Sequence, residues 1–152
     1  MVRAVPDQPL QPYLAFQDAN AAIDFYKQAF GAEEIHRMPM PDGRVAHAEL
    51  RIGNATFMLS DEWPDAGALS AEHFGGTPIG LCLYVPQVDA VVDRALAAGA
   101  RLLRPVSNQF YGDRSGTLID PFGYKWTIAT HTEDVLPAEM HRRMQEFFAQ
   151  AK

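Results

Sequence analysis

Between Tyr111 and Thr130 the chain reads YGDRSGTLIDPFGYKWTIAT, the pattern of a strand, a turn and a second strand. Ser115–Ile119 is the first strand. Asp120-Pro121-Phe122-Gly123 is the turn, because proline presets one backbone angle and glycine admits another. Lys125–Ala129 is the second strand, with Trp126 and Ile128 on one face and Lys125, Thr127 and Ala129 on the other. The loop ahead of it, Tyr111-Gly112-Asp113-Arg114, carries one aromatic ring and two opposite charges.

A weaker copy of this stretch lies earlier in the chain. Pro41-Asp42-Gly43-Arg44 precedes Val45–Ile52, then Gly53, then Ala55–Ser60. Arg44 stands nine positions before Gly53, as Arg114 stands nine before Gly123, and the copies are offset by 70 residues. Upstream, Gly31-Ala32 and Gly99-Ala100 are offset by 68, and each closes a helical pattern. Two copies make an internal duplication, since a solenoid needs three or more repeats.

The other elements follow in matching order. Leu10–Phe16 is a short strand. Asp18 or Asn20 caps a helix through Phe30, whose apolar stripe is Ile23, Tyr26 and Phe30. Gly31 ends it. Glu33–Met40 is a strand. Val45–Ile52 alternates, with Ala46, Ala48, Leu50 and Ile52 on the helix side and His47, Glu49 and Arg51 on the other. Asp61–Pro78 shows no periodicity and is either a plain connector or a lid over a site. Asp61-Glu62 itself reads as a solvated turn. In the second half Ile79–Val85 is a strand, and Val88, Val91, Val92, Ala95 and Leu96 mark a helix. Arg101–Val106 is a strand. Pro137 opens a third helix with Met140, Met144, Phe147, Phe148 and Ala151 in one stripe. The fold class is α+β: a single domain over residues 1–152. It holds a βαβββ module at 8–60, a linker at 61–78, a second module at 79–130 and a C-terminal helix at 137–150. Each sheet needs a helix on one face, leaving the other free to enclose a cavity.

Composition narrows the function classes. The net charge is −6, which disfavours nucleic acid and anionic membrane as partners. The single cysteine, Cys82, rules out an intrachain disulfide and reads as a buried thiol. The first twelve residues hold no apolar run of the kind a signal peptide needs, so the expected location is cytoplasmic.

With these elements placed, the chain resembles the vicinal oxygen chelate superfamily. That group contains glyoxalase I, extradiol dioxygenases, and fosfomycin and bleomycin resistance proteins. The resemblance is carried by Ala21-Ala22-Ile23-Asp24-Phe25-Tyr26, Phe30-Gly31-Ala32 and Asp120-Pro121-Phe122-Gly123-Tyr124-Lys125. The stretches Tyr111–Gly116 and Trp126–His131 look like a branch of small glyoxalase-like proteins related to demethylubiquinone methyltransferase-like domains. The resemblance implies a homodimer. In metal-dependent members, four His, Gln or Glu ligands come from the first and last strand of each module. Carried over, those positions fall on Gln11, on Phe57 or Met58, on Gly80 and on Thr127. Gln11 is an acceptable donor, but the strands at 55–59, 79–83 and 125–129 contain no His, Asp or Glu. No metal ligands and no cofactor are therefore expected, unless a divalent metal uses an unconventional site.

The remaining candidates are polar and aromatic. His47 and Glu49 lie two apart on a strand and point the same way. They are the catalytic candidates, Glu49 as base and His47 as acid or orienter; the alternative is a polar sheet surface with a His–Glu hydrogen bond. Arg114 either clamps an anionic ligand group or forms an ordering salt bridge, with Asp113 the neighbouring partner. Tyr13, Phe57, Tyr84, Tyr111 and Trp126 are candidates to line an apolar ligand site, with core filling the alternative. His36, His73, His131 and His141 read as surface residues. The expected function is a site for a small organic molecule, acting by binding or sequestration. The alternative is a metal-dependent or acid–base lyase, isomerase or dioxygenase of the same superfamily.

Overall fold

The computed structural model describes residues 7–151, so the N-terminal expectation, where it falls on residues 1–6, lies outside them. The element order is β1 (Tyr13–Phe16), α1 (Ala19–Phe30), β2 (Glu33–Pro39), β3 (Val45–Ile52), β4 (Ala55–Asp61) and α2 (Ala71–Phe74). There follow β5 (Gly80–Tyr84), α3 (Val88–Ala97), β6 (Arg101–Asn108), β7 (Asp113–Ile119), β8 (Lys125–His131) and α4 (Pro137–Gln150). The chain divides into two compact units between Thr77 and Pro78. Each holds one four-stranded sheet, ordered β1-β4-β3-β2 in the first and β5-β8-β7-β6 in the second. The first strand of each unit, β1 or β5, is parallel to its neighbour, and the other pairs are antiparallel. This is an α+β fold of two βαβββ modules with a C-terminal helix.

In the first unit Asp18 caps α1, its side chain accepting from the Ala21 N–H, and Gly31 closes it at φ 66°. The helix lays Ile23, Tyr26 and Phe30 against the sheet, and all three are buried. Tyr26 meets Phe57 edge-on at 5.5 Å and Phe16 at 6.0 Å. Phe57 pairs across strands with Leu50, so Leu50 shares the helix-covered face and Glu49 lies on the opposite one. Each such apolar side chain contributes about 1.5–3 kcal/mol on burial.

Asp61 is not in a solvated turn. It ends β4, is buried, and its carboxylate accepts from the Ala19 N–H at 3.0 Å and the Val45 N–H at 2.6 Å. It thereby satisfies an orphan donor at the start of α1 and one at the head of β3. The segment beyond it is also structured. A 3-10 turn spans Pro64–Ala66, and Ser70 caps α2 by accepting from the His73 N–H. The Glu62 carboxylate accepts from both the backbone and the hydroxyl of Ser70, which holds it below the usual carboxylate range.

In the second unit α3 packs Val88, Val91, Val92 and Ala95 on β6, β7 and β8. Leu83, Leu118, Trp126 and Ile128 are buried with them. The turn Asp120–Gly123 is built around the Asp120 carboxylate. It accepts from the backbone N–H of Phe122 and Tyr124 and from the Trp126 indole N–H at 3.0 Å. The strand ahead begins at Asp113, earlier than the sequence pattern implies, so Arg114 belongs to β7 and not to a loop. Helix α4 buries none of its residues. It is tied to its unit by Arg143, which donates to the Phe110 carbonyl and to Glu133, and by the Phe110–Phe147 ring contact at 5.2 Å.

Candidate functional site

The sheet face away from α1 carries a hydrogen-bonded chain. Tyr13 on β1 meets His47 on β3, hydroxyl to Nδ1, at 2.8 Å. His47 Nε2 lies 3.2 Å from Oε1 of Glu49. Exposure falls steeply along this chain, from 51% for Tyr13 to 5% for Glu49. The flanks are set by register. Met58 is the cross-strand partner of both Tyr13 and Glu49, and Met38 that of His47. His47 and Glu49 thus form the hydrogen bond that the two-residue spacing allows, and Tyr13 extends it to the surface. A face with one buried carboxylate, one imidazole, one exposed phenol and two thioethers offers polar handles beside apolar contact.

The corresponding face of the second unit has its own cluster. Tyr84 donates to Asp113 at 2.6 Å, Asp113 meets His131 Nδ1 at 2.9 Å, and His131 Nε2 meets Asp134 at 2.7 Å. The hydrogen bond to Asp113, followed by burial, pushes the Tyr84 phenol up to about 12. Burial acts to raise the Asp113 carboxyl, but the hydrogen bonds from Tyr84 and His131 outweigh it and hold it below its ordinary value. His131 is raised by Asp113 first and Asp134 second. His131 is exposed, as the sequence implies, but its pairing with Asp113 is not visible in local sequence. The signal that finds it is register: with Ile119 opposite Lys125 across the turn, Asp113 must stand opposite His131.

The other candidates fall in different places. Arg114 does not pair with Asp113. Its guanidinium forms a two-pronged ion pair with Asp89 at the start of α3, both contacts at 2.8 Å, because the two side chains of adjacent β7 residues leave opposite faces. Phe57 and Trp126 are 5% and 4% exposed, in the cores of their own units. Tyr111 is partly exposed and stacks edge-on against Phe110 at 5.3 Å. Cys82 is exposed and not buried, because it alternates with Leu81 and Leu83 on the side away from α3. Partial burial, then Asp113, raises its thiol. Two surface clefts lie elsewhere. One of about 530 Å³ is lined by residues including Gln8, Glu33, Arg51 and Thr56, and one of about 400 Å³ lies at the start of α3 beside Arg114. Neither is lined by His47 or Glu49.

The donor set does not fit the divalent metal of the chelating relatives. Gln11 Oε1 already accepts from the Thr56 hydroxyl at 2.8 Å. Phe57 or Met58, Gly80 and Thr127 offer no anionic or imidazole ligand. Among the described residues, no three His, Cys, Asp or Glu side chains gather as a metal would need. Nor, among those residues, is any helix long and apolar enough to cross a membrane.

Comparison with known proteins agrees with this architecture. The Glyoxalase/Bleomycin resistance protein/Dioxygenase superfamily matches residues 10–128. An uncharacterized protein of Mycobacterium bovis is 41% identical over 138 residues, 89% of this chain and 91% of that one. The crystal structure of TioX from Micromonospora sp. ML1 superposes with a TM-score of 0.66 at 27% identity, covering 80% of this chain and 97% of that one. The PhnB protein of Bacillus cereus shares the fold, with a TM-score of 0.64 at 21% identity over 81% of this chain and 99% of that one. The two sheets of identical strand order and the family match over residues 10–128 together establish that the chain belongs to the glyoxalase/bleomycin resistance protein/dioxygenase superfamily.

Proposed function

We propose that the face of the first sheet away from α1 binds a small organic molecule without a resident metal. The chain then acts by binding or sequestration, as the homodimer that the resemblance implies. The observation that carries this reading is the Tyr13–His47–Glu49 chain. A buried carboxylate held by an imidazole keeps the exposed phenol in one orientation, and Met38 and Met58 supply soft apolar surface around it. Such a face suits a flat, mostly apolar ligand with one polar group.

The test is a panel of aromatic fragments added to the isotopically labelled full-length protein and followed by NMR. Hits are expected to move the amides of Tyr13, His47, Glu49 and Met58. Hits confined to the two clefts, or no hits, contradict the reading. A second reading, an acid–base lyase or isomerase, is favoured by the His47–Glu49 contact itself, because that pair can hold and pass a proton. Mass spectrometry of each hit after incubation separates the two. A binder returns the molecule unchanged, and an enzyme returns a product.

A further inference from the structure

We propose that this first-sheet site selects aromatic molecules whose polar group is a hydrogen-bond donor, a phenol O–H or an amine N–H, and disfavours aromatic carboxylates. The inference rests on the ligand site proposed above and adds the chemistry of its ligand.

Glu49 is buried, and in its ionised form it only accepts hydrogen bonds. The proposal places the proton of a neutral His47 on Nε2, the nitrogen that faces Glu49 at 3.2 Å. A neutral imidazole has one N–H, so Nδ1 presents a lone pair. Tyr13 lies 2.8 Å from Nδ1 and has one hydroxyl proton, which it donates there. What the Tyr13 oxygen has left is lone pairs, on a side chain that is half-exposed. A ligand group that meets this oxygen must bring the proton itself. A carboxylate meets lone pairs instead. Met58, the partner of Tyr13 across β1 and β4, gives an aromatic body a surface to lie on.

The test uses the full-length protein and three probes of one shape: 2-naphthol, 2-methoxynaphthalene and 2-naphthoate. Affinities come from titrations followed by NMR, and the His47 tautomer from its ring nitrogen shifts in the free protein. 2-Naphthol is expected to bind about three- to tenfold more tightly than 2-methoxynaphthalene, the worth of one hydrogen bond. 2-Naphthoate is expected to bind most weakly. Tyr13→Phe, an exposed position that leaves the core intact, is expected to erase the preference for 2-naphthol while both neutral probes still bind. His47 is expected to carry its proton on Nε2. The proposal is overturned if 2-naphthoate binds best, if Tyr13→Phe keeps the preference, or if Nδ1 carries the proton. Three probes binding equally overturn this inference alone; three probes failing to bind overturn the ligand site with it.

Discussion

Asp61 accepts two backbone N–H groups from different elements while buried, so its removal leaves both donors without a partner. Asp61→Ala is expected to cost about 2–4 kcal/mol, read by urea denaturation. Asp18→Ala removes one exposed cap and is expected to cost about 1 kcal/mol by the same measurement. His131 titrates with the opposite sign from Asp113. The folded-state value of His131 is raised by its carboxylate neighbours, so its stabilisation is full below about 6.5 and fades as pH rises through the folded value. The folded-state value of Asp113 is lowered, so its stabilisation is present above about 3.9 and fades as pH falls through the folded value. Stability measured across pH is expected to show both limbs, and His131→Gln is expected to flatten the upper one. An upper limb unchanged in His131→Gln contradicts the assignment.

Among elements, the segment joining β8 to α4 depends on one glycine. Gly112 has φ 95°, and its carbonyl accepts from the Thr132 and Glu133 N–H groups. A Cβ there would stand 2.3 Å from the Glu133 carbonyl oxygen. Gly112→Ala is expected to cost more than about 1 kcal/mol and to raise hydrogen exchange at residues 132–136 before the sheet itself. The elements were largely legible in the sequence because their signals are local. Asp18 and Gly31 bracket α1, and the Asp120–Gly123 turn fixes the β7–β8 pairing. The partners were not legible because they are distant in the chain. Nothing near Asp61 reveals Ala19 and Val45, nothing near Arg114 reveals Asp89, and Tyr13 lies 34 positions from His47. His131 is the intermediate case: its partner follows from strand register, but only once β7 is extended back to Asp113. For Cys82, residue type suggested burial, while its place in the alternation of β5 gave the opposite answer.

For the whole molecule, the repeat seen at offsets of 68 and 70 residues appears as two sheets with one strand order. The copies have diverged in their polar chemistry. The first carries Tyr13, His47 and Glu49, and the second Tyr84, Asp113, His131 and Asp134. At the positions to which the resemblance carries the family's chelating residues stand Phe57 or Met58, Gly80 and Thr127, and the amide of Gln11 accepts from Thr56 within its own unit. The proposed function rests on the Tyr13–His47–Glu49 chain and on the donor types at these positions. Calorimetric titration of 2-naphthol into full-length protein, first freed of metals by a chelator and then reloaded with zinc, nickel, iron or manganese, measures that claim directly. Equal affinity in the stripped and reloaded protein is expected; binding that appears only with one metal ion per chain would contradict it.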